Sequence, residues 1–107
     1  MPLGRNKYLA RQQRLRVRDL LMREWDPIGV RGIPEASDEY DSYVGKAYAM
    51  LMDEQATAAT IEAYLLTIAT ENMGIARNSD LDKRCAHAAA SLISLRPVFE
   101  RENQSPH

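Results

Sequence analysis

LDKRCAHAAASLISL, residues 81–95, is the stretch that decides the fold class. Leu81, Cys85, Ala88, Leu92 and Leu95 recur at spacings of four, three, four and three. That is the period of an amphipathic helix with one apolar stripe. The other stripe positions are small, which favours close approach of a neighbouring helix. Ser79 with Asp82 resembles a capping box, so the helix is expected to begin near Asp80. Pro97 removes a backbone donor and is expected to end or kink it near Leu95.

Working back along the chain, three further helices are expected. The segment 58–73 carries Ile61, Leu65 and Ile68 on one face, with Tyr64 beside them. Thr57 is its expected N-cap, Gly74 its C′ residue, and Ile75 the apolar residue that folds back on the last turn. The segment 38–53 places Tyr40, Val44, Ala47 and Leu51 on one stripe, with Ser37 or Asp38 as cap. Gly45 inside it costs about 1 kcal/mol relative to alanine, and a close helix approach is the expected reason for it. The first helix, 6–25, has Val17, Leu20 and Leu21 on its core face, widened by Leu15, Met22 and Trp25. Its first two turns are polar and basic and are expected to fray or stand clear of the core. Pro27 disfavours the helical conformation at Asp26 and stops it. Ile28, Val30 and Ile33 should tie the following loop to the core, with Gly29 permitting the reversal and Asp26 in an Asx-type turn. No stretch alternates with the period of a strand. The expected architecture is all-α, a compact bundle of four helices (about 6–25, 38–53, 58–73 and 80–96) in a single domain, 1–107. Residues 1–7 and 100–107 are expected to be frayed or disordered.

Composition fits this. Of 107 residues, 45% are apolar and 27% charged, which is ordinary globular material. The single cysteine, Cys85, forms no internal disulfide and fits a reducing compartment. No run approaches the length of a membrane span, and no apolar h-region follows the basic N-terminus, so a cytoplasmic location is expected. Net charge is −1 but is unevenly placed. Residues 1–23 carry seven basic groups and one acid, residues 24–71 two basic groups and ten acids. Such polarity points to a charged partner or to self-association.

The chemistry-bearing residues weigh against catalysis. Cys85 and His87 point about 200° apart on a helix, and Cys85 lies in the apolar stripe, where a small core thiol is expected. His87 and Ser91 are one turn apart, yet no carboxylate on that helix orients the histidine. There is no glycine-rich phosphate loop, no Cys/His metal set and no nucleophile elbow. No enzyme activity and no cofactor are expected. Asp26, Glu35, Asp38, Glu39 and Asp41, joined by Tyr43 as the surface aromatic, form the first candidate surface, an acidic face for a protein with a basic surface. Its alternative is acids that stabilise a helix N-terminus. Arg5, Lys7, Arg11, Arg14, Arg16 and Arg18 form the second candidate, for nucleic acid, although these charges are read as lying all around the helix. A metal-dependent enzyme on the acidic cluster is the third and least supported reading, since no EF-hand loop or His-containing ligand spacing is present.

LLMREWDPIGV, then DEYDSYV, AYAMLM and IEAYLLTIATENMGI, together resemble a pattern in small uncharacterised bacterial helical proteins, a domain of unknown function. There a leucine-rich helix ends in Trp-Asp-Pro and an acidic-Tyr segment opens the next. The likeness covers roughly residues 20–75. It implies a compact helical fold, no established catalytic activity and, by analogy, an immunity- or antitoxin-like partner role. The resulting expectation is a non-catalytic protein-interaction module.

Overall fold

The computed structural model describes residues 7–25 and 37–104, with side chains from Asp41 onward in the second segment. Arg5, Asp26, Pro27, Gly29 and Glu35, and the apolar residues of the first loop, lie outside the described residues, as do the side chains of Asp38, Glu39 and Tyr40. Among the described residues the chain forms four helices and no strand: α1 (Lys7–Glu24), α2 (Ser37–Met52), α3 (Ala58–Thr67) and α4 (Ser79–Gln104). It is an all-α helical bundle in which α4 packs against the other three. No described helix is long and apolar enough to cross a membrane.

The helix signals act largely as read. Thr57 caps α3, its hydroxyl accepting from the Thr60 N–H at 3.2 Å. At the far end, α3 runs into a π-helical turn, Ile68–Asn72. Gly74 follows with φ +72°, the left-handed conformation that glycine takes without Cβ strain. Ile75 then folds back, its N–H donating to the Ala69 carbonyl at 2.9 Å while its side chain packs on the core. The start of α4 differs from the reading. Asn78, not Ser79, is the cap, its Oδ1 accepting from the Leu81 N–H at 2.8 Å. Asparagine one residue earlier offers the same acceptor geometry.

The core carries Val17, Leu20, Leu21, Trp25, Val44, Ala47, Leu51, Ile61, Leu65, Leu81, Cys85, Ala88 and Leu92, all buried. Trp25 closes α1 over this core, its backbone N–H donating to the Leu21 carbonyl at 2.9 Å.

Five expectations are corrected. α4 does not stop at Pro97 but continues to Gln104. Pro97 is exposed, so water can reach the carbonyl it leaves without a donor, and two residues on Phe99 is fully buried. Its ring lies 6.2 Å from that of Tyr48. Burying a large aromatic offsets the ~3 kcal/mol cost of an internal proline. Residues 100–104, expected to fray, are therefore helical. The start of α1 is not clear of the core, because Gln13 is fully buried against this extension of α4. Leu15 does not widen the core face but is 49% exposed. Gly45 has no neighbour within 4 Å of where a Cβ would stand, so no close helix approach explains it.

Polar side chains join the helices where apolar packing alone leaves groups unpaired. Gln13 Nε2 donates towards the Phe99 carbonyl, Glu102 Oε1 and Asn103 Oδ1 at 3.4, 3.0 and 3.1 Å. Its Oε1 accepts from the Tyr48 hydroxyl at 2.5 Å. One amide thus ties α1 to both α2 and α4. Arg96 does similar work at the α2–α3 link. Its Nε donates to the Leu51 carbonyl at 2.7 Å and its Nη2 to the Ala56 carbonyl at 2.6 Å. Leu51 lies in the last turn of α2, where carbonyls lack intrahelical donors and a cation complements the helix dipole.

Candidate binding surface

Of the acidic candidate, the side chains of Asp41 and Tyr43 are described. Tyr43, read as its surface aromatic, is buried at 7% exposure, a correction. α2 packs against α1, α3 and α4, so its buried face is wider than one stripe and takes in Tyr43 as well as Val44. Asp41 is exposed, but its Oδ1 accepts from Arg18 Nε at 2.7 Å.

The basic candidate has more order than its sequence reading allowed. At about 100° per residue, Lys7, Arg11, Arg14 and Arg18 fall at i, i+4, i+7 and i+11, one stripe along α1. Tyr8 and Leu15 lie beside that stripe, two turns apart. They are the exposed large hydrophobic residues among those described, at 74% and 49%. Arg16 stands apart on the far flank, where its Nη1 donates to Glu102 Oε2 at 2.7 Å and its guanidinium lies 4.9 Å from the centre of the Phe99 ring. Arg14 lies 5.9 Å from the centre of the Tyr48 ring. Among the described residues, Lys7, Arg11 and Arg14 have no carboxylate partner. The spacing that makes the stripe was legible in the sequence; counting charges without turning the helix hid it.

Leu15 is a ridge between two grooves. On the α4 side a groove of about 350 Å³ is floored by Leu15, Leu20 and Leu95 and edged by Gln12, Arg16, Asp19 and Arg23. On the α2 side a smaller one, about 100 Å³, is lined by Arg11, Arg14, Arg18 and Val44, with Asp41 opposite. One face of α1 therefore offers apolar surface on one side and guanidinium groups on the other.

Two clusters elsewhere carry polar chemistry. Glu24 Oε1 accepts from the Ser91 hydroxyl at 2.7 Å and lies 3.0 Å from His87 Nε2. The carboxylate missing from α4 thus comes from α1. It stands between serine and histidine, so the hydroxyl proton is directed at the carboxylate and not at the imidazole, unlike a nucleophile–base pair. Cys85 is fully buried. Burial pushes its thiol up, opposed by the neighbouring Trp25 indole, while Glu62 and Asp82 push it further up. That suits a core thiol and disfavours the thiolate a nucleophile requires. Among the described residues, no group of three or more His, Cys, Asp or Glu side chains is placed to hold a metal ion.

No family model matches the chain, and neither a curated protein nor a solved structure does.

Proposed function

We propose that this chain is a non-catalytic protein-interaction module whose docking surface is the outer face of α1. The observation that carries the reading is the exposure of Tyr8 and Leu15 on one face of a rigid helix, beside a groove and the cations Lys7, Arg11 and Arg14, which have no carboxylate partner among the described residues. Exposed large apolar side chains set in a polar rim are the usual composition of a protein interface core. The bundle serves as the platform: Trp25, the Gln13 amide and the Arg16–Glu102 pair hold α1 on α4, so the face is presented preformed and little ordering cost falls on binding. An immunity- or antitoxin-like role is one form of this reading, and a toxin gene adjacent to this one is the genomic arrangement it expects. The direct test is a photo-crosslinking amino acid placed in the native host at Tyr8 or Leu15, with exposed Arg101 on α4 as the control position. A discrete adduct from the α1 positions alone is expected. Equal labelling from Arg101, or none from α1, overturns the reading.

The second reading, nucleic-acid binding, is favoured by the Lys7, Arg11, Arg14, Arg18 stripe. Against it stands the apolar floor of Leu15, Leu20 and Leu95, which a phosphate backbone leaves unfilled. It requires binding that weakens steeply with salt. A single-stranded oligonucleotide titrated at two salt concentrations distinguishes the two.

A further inference from the structure

We infer that the occupant of the α1 face is an acidic amphipathic helix of another protein, laid along α1 with its apolar residues in the α1/α4 groove and its carboxylates over the arginine stripe. The inference rests on the α1 face being the docking surface. Its own content is the partner's chemistry.

The two sides of Leu15 demand different things of whatever covers them. On the α4 side, Leu15, Leu20 and Leu95 floor a groove large enough for an aliphatic side chain or an aromatic ring. A phosphate backbone has nothing to place there. On the α2 side, Arg11 and Arg14 line the cleft beside the Arg18–Asp41 pair and have no carboxylate partner among the described residues, so they offer positive charge to an occupant. An apolar seam flanked by one sign of charge on one edge is what an amphipathic helix with a carboxylate edge complements. Helix lengths match as well. Lys7 to Arg18 spans about 16 Å, or three turns, and Tyr8 to Leu15 about 10 Å, or two turns. A partner segment of about three turns therefore reaches both apolar residues and the cations Lys7, Arg11 and Arg14. A second copy of this chain pairing through the same face fits less well. An antiparallel pair centred on Leu15 brings Arg11 of one copy beside Arg18 of the other, and like charges so placed repel.

The test is selection of a phage-displayed library of 20-residue helical peptides on the full chain, each clone then measured against Leu15→Asp and against the paired change Lys7→Glu, Arg11→Glu. All three positions are exposed, so the variants keep the fold, which circular dichroism checks. Expected clones carry leucine or phenylalanine at helical spacing and carboxylates along one edge. They lose at least tenfold in affinity on either variant, and on the wild type they weaken with added salt. Clones that are neutral or basic yet depend on Leu15 overturn the acidic partner and leave the α1 surface standing. Clones indifferent to Leu15 overturn both. An empty selection overturns the inference, and so does a 20-mer of deoxythymidine that binds tighter than any selected peptide.

Discussion

Gln13→Leu is the substitution that most directly examines how this bundle is held. The leucine matches the glutamine in bulk and prefers burial, so on hydrophobicity alone it should stabilise. The geometry says otherwise. The amide NH₂ has two hydrogens shared among three acceptors, on Phe99, Glu102 and Asn103, and the amide oxygen accepts from Tyr48. That makes three hydrogen bonds at full count, each worth about 1 kcal/mol net. The gain from the apolar side chain recovers about 1 kcal/mol, which leaves an expected loss of about 2 kcal/mol. Gln13→Glu is expected to be worse at neutral pH, because a second carboxylate then faces Glu102, and to recover as acid protonates it. The wild type carries a related pH signature. Gln13's hydrogen bond, opposed by partial burial and aided by Arg16, holds Glu102 below the usual carboxylate range. A folded-state pKa below the unfolded one contributes stability that is complete above the unfolded value and is lost as pH falls through the folded value. Removing Gln13 takes away the largest cause, so stability of the leucine variant should fall less steeply below about pH 4.3, the ordinary glutamate value. Urea titrations at pH 7, 5, 4 and 3 read both effects, with the single tryptophan, Trp25, as the fluorescent reporter. A leucine variant within 0.5 kcal/mol of wild type (roughly the scatter of such measurements), with an unchanged acid limb, would refute the reasoning.

Arg96→Met keeps the aliphatic stem but removes both donors to Leu51 and Ala56. A loss of about 2–3 kcal/mol is expected in denaturant titration, with Arg96→Lys intermediate because an ammonium cannot reproduce the fork. The two described glycines should respond to alanine with opposite signs. Gly45→Ala meets open space inside a helix and should stabilise by about 1 kcal/mol. Gly74→Ala forces a side chain into positive φ and should destabilise by about 1 kcal/mol, both read as shifts in melting temperature. Gln55 already sits at φ 51°, so Gln55→Gly should stabilise, by about 0.5 kcal/mol once its bond to the Met52 carbonyl is given up. A fall in stability there would mean that this bond outweighs the backbone strain.

Much of the scaffold was legible locally. The stripe from Leu81 to Leu95 fixed α4's core face. Thr57, Gly74 and Ile75 marked the ends of α3, because capping is decided by a few neighbouring atoms. The site was half legible: the spacing of Lys7, Arg11, Arg14 and Arg18 is a property of the sequence, as is the heptad between Tyr8 and Leu15.

Which side of each helix meets a neighbour is not written in any single segment. Periodicity says that α1 has an apolar face, but Leu15 looked like part of it. It is exposed because α2 and α4 cover α1 on either side of the Val17–Leu21 face and leave that ridge between them. Tyr43 went the other way, since α2 has neighbours on more than one side. Gln13 reads as a polar residue of a basic, fraying turn, and Pro97 as a helix stop. Each local preference is outweighed by the other's surroundings: the helix beyond Pro97 carries Phe99, Glu102 and Asn103 to Gln13, and Gln13 in turn satisfies them. Local propensities are worth a few kcal/mol at most, and contacts between residues 86 to 90 apart in sequence decide the outcome only when the bundle has closed. The sequence by itself determined four helices and the cap of α3. The tertiary structure decided which residues they bury, because burial depends on neighbours that no single segment contains.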